Sequence, residues 1–124
     1  MTNFMVRYHA DSVETMVRFF AEIKASGAAE KTREEKGCVR YEYFFPVEQL
    51  LNINRPEDEE PGAVKGEVEM LLWEQWESRA DQEAHTKAPH FKVFGELKEK
   101  YGITAEFEVQ DIAESTQEAN HKHG

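Results

Sequence analysis

From residue 4 to 9 apolar and polar positions alternate, with Phe4, Val6 and Tyr8 on one face and Met5, Arg7 and His9 on the other, the period of a strand. The period then lengthens to 3.6: Val13, Met16, Val17, Phe20 and Ile23 make one apolar stripe, with Glu14, Arg18 and Glu22 largely outside it, which predicts an amphipathic helix. Asp11 is placed to cap that helix, with Glu14 three residues on. Good helix formers over 28–36 extend the prediction past Gly27 to a stop at Gly37. Alternation returns over 38–45, with Val39, Tyr41, Tyr43 and Phe45 facing one way, and ends at Pro46. Residues 47–66 carry Pro56, Pro61, Gly62 and an acidic run at 57–60, so a long loop is expected. Val68, Met70, Leu72, Glu74 and Trp76 then share one face of a strand with Leu71 and Trp73 opposite, a pattern suited to the inside of a sheet. Ser78 and Asp81 have capping-box spacing before a short helix with Ala80, Ala84, His85 and Ala88 on one side. Pro89 restarts the helix, and Phe91, Phe94, Leu97 and Tyr101 repeat along it until Gly102. Ala105, Phe107 and Val109 alternate with Glu106, Glu108 and Gln110 in a fourth strand, and residues 113–124 form a polar tail.

The order β-α-β-β-α-β describes a ferredoxin-like unit of the α+β class, spanning residues 1–112, in which both crossovers put their helices on the same face of an antiparallel sheet. The other face needs solvation or a partner, and a homodimer is the economical solution. Arg7, Arg40, Glu42, Glu106 and Glu108 can instead wet that face, so periodicity alone does not decide between the two.

Composition narrows the functional classes. With 124 residues the chain suits one domain, and 15 Lys and Arg against 25 Asp and Glu give a net charge of −10, which repels nucleic acid and anionic membranes. Forty per cent apolar content supports a packed core. No run of about 18 apolar residues predicts a membrane span, and no leader pattern is visible at the start. One cysteine, Cys38, cannot pair internally, so a reducing, cytoplasmic setting is expected. Cys38 has no neighbouring base and reads as a small core residue.

The densest polar and aromatic segment is 73–91, WEQWESRADQEAHTKAPHF. A strand bearing Glu74 and Trp76 leads into a helix bearing His85, and the bend at Pro89 presents His90, so a carboxylate, an indole and two imidazoles can converge. Imidazole moves protons near neutral pH, which makes His85 and His90 candidate catalytic groups. The plainer reading makes at least one of them a packing or capping residue at the bend, and Trp73 and Trp76 core or dimer aromatics. No metal site is expected: His residues five apart do not share a helical face, and His121 and His123 lie in the tail. His9 is either near the same end of the sheet or an exposed strand end. No glycine-rich phosphate cradle follows a strand.

The fragments EEKGCVRYEYF (34–44) and EQWESRADQEAHTKAPHFK (74–92) resemble the antibiotic biosynthesis monooxygenase family, especially its quinol monooxygenase branch. The matching positions are Glu35, Gly37, Cys38, Tyr41, Glu74, Trp76, His85, Pro89, His90 and Phe91. The resemblance implies a dimeric α+β barrel, made of two ferredoxin-like sheets, with a cavity between each sheet and its helices. It implies oxidation of a small electron-rich aromatic, a quinol or anthrone, by dioxygen with no metal, flavin or haem. His85 or His90 would take the proton, and Trp76, Tyr43, Phe91 and Glu74 would contact the substrate. Haem-degrading relatives differ, because the asparagine of their first strand and the tryptophan they place at position 85 are missing here. A non-oxidative isomerase or lyase on the same scaffold, and a non-catalytic dimeric binding or stress-related module, are the alternatives.

Overall fold

The computed structural model describes residues 1–45 and 68–111; the expected loop 47–66 and tail 113–124 lie outside the described residues. The elements are β1 (Thr2–Ala10), α1 (Val13–Ser26), α2 (Ala28–Arg33), β2 (Cys38–Phe44), β3 (Val68–Trp76), α3 (Arg79–His85), α4 (Phe91–Tyr101) and β4 (Thr104–Asp111). The strands form one antiparallel sheet in the order β2-β3-β1-β4, the ferredoxin-like arrangement. β3 is internal, as its strict alternation requires: Val68, Met70, Leu72, Glu74 and Trp76 are all buried. Its apolar members meet Val6, Tyr8 and Ala10 from β1 and Met16, Phe19 and Ile23 from α1 in one core.

The helix stripe is rotated from its expected position. Phe19 is fully buried, packing edge-on against Tyr8 (5.6 Å between centroids) and Tyr101 (6.4 Å), whereas Val17 is exposed. Both stripes share Val13, Met16 and Ile23, and positions three and four apart lie on one helical side, so spacing alone does not choose between them. The cap is Ser12, not Asp11: the Thr15 amide donates to Ser12 Oγ at 3.1 Å. Helical structure does not run through to Gly37. Gly27 adopts φ 73° and ends α1, and α2 starts at Ala28 with Ala28, Ala29 and Thr32 buried.

β2 contains a bulge. Cys38 pairs with Trp76 and Arg40 with Gln75, so Val39 is displaced to the surface while Tyr41 and Tyr43 keep the core face. In β4 the apolar face is largely uncovered: Phe107 and Val109 are exposed, and Phe107 stacks on Phe4 at 5.1 Å. The face of the sheet away from the helices carries Met5, Phe44, Leu71 and Trp73 among charged residues, with the Arg40 guanidinium 4.3 Å from the Trp73 ring centroid.

Candidate active site

Glu35 stands in the turn between α2 and β2. Its amide donates to the Thr32 carbonyl (3.0 Å) and its carbonyl accepts from the Cys38 amide (3.1 Å), which fixes the backbone on both sides. Gly37 closes the turn at φ 81°, and a Cβ there would overlap the Asp81 side chain. Only glycine permits both this backbone and this approach to α3. The Gly37 carbonyl also accepts from the Glu77 amide at 2.8 Å. The turn bearing Glu35 is thereby held against the helix bearing His85.

α3 begins at the Ser78 cap, where Ser78 Oγ accepts from the Asp81 amide at 3.1 Å, as the spacing predicts. It ends at His85, which is 2% exposed. The imidazole lies among Trp76 (5.1 Å between centroids), Phe91 (5.0 Å), Tyr41 (5.7 Å) and Phe94 (6.2 Å). A string of turns follows, with Ala88 donating to the His85 carbonyl and Phe91 to the Ala88 carbonyl, before α4 starts at Phe91. This break brings His90 back toward His85, with ring centroids 6.2 Å apart. A spacing of five separates faces only on an unbroken helix.

Both rings converge on one atom. Glu35 Oε2 lies 2.7 Å from His85 Nδ1 and 2.9 Å from His90 Nε2. A carboxylate can only accept, so each facing nitrogen carries a hydrogen, and in the neutral rings the lone pairs stand on His85 Nε2 and His90 Nδ1. Sequence reasoning placed Glu35 in a family pattern without a role; its position two residues before Gly37 was the available signal.

Burial lowers the His85 pKa below its ordinary 6.5, outweighing the opposing pull of Glu35. Burial raises Glu74 from 4.5 to about 7, helped by the Glu35 charge and opposed by the Trp76 indole, whose Nε1 donates to Glu74 Oε1 at 3.0 Å. The Tyr8, Tyr41 and Tyr43 hydroxyls are likewise pushed upward by burial, and the Cys38 thiol to about 11, so Cys38 is no thiolate at neutral pH.

The expected site residues divide into two groups. Trp76 and Phe91 touch His85, and Glu74 is joined to it through Trp76. Tyr43 packs instead on Phe20 (5.5 Å) and Tyr41 (5.8 Å), and Tyr41 is the tyrosine that meets His85. His9 lies at the other end of β1 from Thr2, which pairs with Trp76, and bonds Glu106 at 2.7 Å. His90 lines a cavity of about 380 Å³ with Ser26, Ala28, Lys31, Pro89 and Val93. His85, Trp76, Glu74, Tyr43 and Phe91 do not line it.

Residues 17–97, more than half of the chain, match the family model described as antibiotic biosynthesis monooxygenase. The chain belongs to the antibiotic biosynthesis monooxygenase family. Solved structures share the fold at low identity. A Deinococcus radiodurans protein proposed to be a monooxygenase of this family is 18% identical, with a TM-score of 0.64 over 93% of this chain and 95% of that one. A Nitrosomonas europaea protein with the same proposed assignment is 13% identical, with a TM-score of 0.64 over 93% of both chains. SnoaB, a cofactor-independent oxygenase from Streptomyces nogalater, is 13% identical, with a TM-score of 0.59 over 93% of this chain and 95% of that one. No curated protein matches the chain at a significant level. The family supports a monooxygenase-type function on a small molecule. No helix among the described residues is long and apolar enough to cross a membrane.

Proposed function

We propose that this chain oxidises a small electron-rich phenolic aromatic, of quinol or anthrone type, with dioxygen and without a resident cofactor, acting as a homodimer. The observation that carries the reading is the cavity at His90, which combines a base, apolar walls and a cation. At about 380 Å³ it suits a ligand of one or two rings. Glu35 holds the His90 Nε2–H, so Nδ1 accepts the phenolic proton. Lys31, in the same wall, stabilises the negative charge that develops on the ring oxygen and then on reduced oxygen. The deprotonated ring passes two electrons to dioxygen and forms a carbon–oxygen bond. The resulting peroxide takes back the proton held by His90. The hydroperoxide, on a carbon that still bears hydrogen, loses water and leaves a carbonyl, so one oxygen atom enters the product and the other leaves as water. His85, buried and bonded to the same Glu35 oxygen, serves as a positioning residue.

Oxygen uptake by the full chain, freed of metal with a chelator, against a panel of quinols and anthrones tests this. We expect uptake above the uncatalysed rate that falls at least about 100-fold in His90→Gln, the loss typical of a removed general base. Absence of uptake across the panel, or full activity in His90→Gln, overturns it.

A further inference from the structure

The cluster of Glu35, His85 and His90 has a second chemical capacity, distinct from proton transfer. Three donor atoms of three different side chains, two imidazole nitrogens and one carboxylate oxygen, lie within 4.8 Å of one another. At ligand bonds of about 2.0–2.1 Å, the separations of 2.7 and 2.9 Å from Glu35 Oε2 subtend roughly 80–90° at a shared ion. Each imidazole can therefore sit beside the carboxylate on a shared ion, and two His with one carboxylate is a donor set that leaves further coordination positions open. We propose that Glu35, His85 and His90 bind a divalent first-row transition ion of the zinc, cobalt or nickel class.

The surroundings suit such an ion. Imidazole and carboxylate are donors these metals take, whereas the oxygen-only sets of magnesium and calcium are not offered. Trp76, Tyr41, Phe91 and Phe94 wall in His85 and restrict its ring, while His90 borders the cavity. Both rings are already turned toward Glu35, and the turn carrying Glu35 is fixed by backbone hydrogen bonds on either side. Binding requires each ring to move its hydrogen to the far nitrogen: from Nδ1 to Nε2 in His85, and from Nε2 to Nδ1 in His90. The His90 lone pair used as a base is then lost. Metal occupancy and the proposed proton transfer are mutually exclusive, so the ion acts as an inhibitor. This last consequence rests on the oxygenase reading; binding does not.

Calorimetric titration of the chelator-treated full chain with Zn²⁺ or Co²⁺, without substrate, tests the site. We expect one ion per chain, at least tenfold weaker binding in His90→Gln and Glu35→Gln, and no change in a His121→Gln/His123→Gln tail variant. Both His90 and Glu35 lie at the rim of the site, and circular dichroism checks that their variants fold. Nuclear magnetic resonance of the wild-type chain with Co²⁺ provides a reading free of substitutions: the His85 and His90 ring signals move far outside the diamagnetic range. Absence of binding, binding that survives both rim substitutions, or binding lost only in the tail variant overturns the site. A metal-free chain that fails to take up oxygen yet binds the ion leaves this site standing and removes only the oxygenase reading.

Discussion

Glu74 is the residue whose environment contradicts its chemistry most. Its carboxyl faces the core between Tyr41 and Phe4, its cross-strand partners, and keeps its proton to about pH 7. Because the folded state holds that proton more tightly than the unfolded chain, the stability it contributes is fully present below about 4.5 and is lost as pH rises through about 7. The shift corresponds to on the order of 3 kcal/mol. Glu74→Gln, which can still accept from the indole, should therefore remove most of the decline between pH 5 and 8 in urea unfolding. An unchanged pH slope contradicts the burial argument. His85 works in the opposite sense: its lowered pKa gives stability present above 6.5 and lost as pH falls. Gly37→Ala should cost at least about 1–2 kcal/mol from the left-handed backbone alone, with added loss from the overlap with Asp81. Thermal unfolding measures it, and a neutral substitution would show that the turn can shift. Glu74 and Glu35 mark the limit of sequence reading. The alternation of β3 put Glu74 on the core face, but nothing in that pattern revealed that Glu35, nearly 40 positions earlier, would join the histidines.

At the scale of elements, strands were legible because each pleated face repeats every second residue, and β3 is the clearest case. The departures occur where local geometry changes the count: the bulge at Cys38 and Arg40 turns Val39 outward, and Gly27 splits the first helical region in two. The bend between α3 and α4 matters most for function. Pro89 signalled a break in the sequence, yet the direction taken after it depends on a run of turns held by backbone hydrogen bonds, which residue type does not spell out. That direction brings two imidazoles five positions apart onto one oxygen.

For the whole molecule, the face of the sheet away from the helices is an apolar surface that no described helix covers. Met5, Phe44, Leu71 and Trp73 form its apolar centre, ringed by charge, a composition suited to a core and rim of an interface. Trp73→Glu should convert the proposed dimer to a monomer in sedimentation velocity while the core, on the other face, keeps the fold. A wild-type chain that sediments as a monomer contradicts the dimer. The central claim is that one carboxylate oxygen fixes both imidazoles and leaves a basic nitrogen at the cavity. Long-range proton–nitrogen correlation spectra of the intact, metal-free chain near pH 7.5 read this directly. The account predicts hydrogen on His85 Nδ1 and His90 Nε2, with bare His90 Nδ1; hydrogen on His90 Nδ1 instead, or a tautomer unaffected by Glu35→Gln, would contradict it.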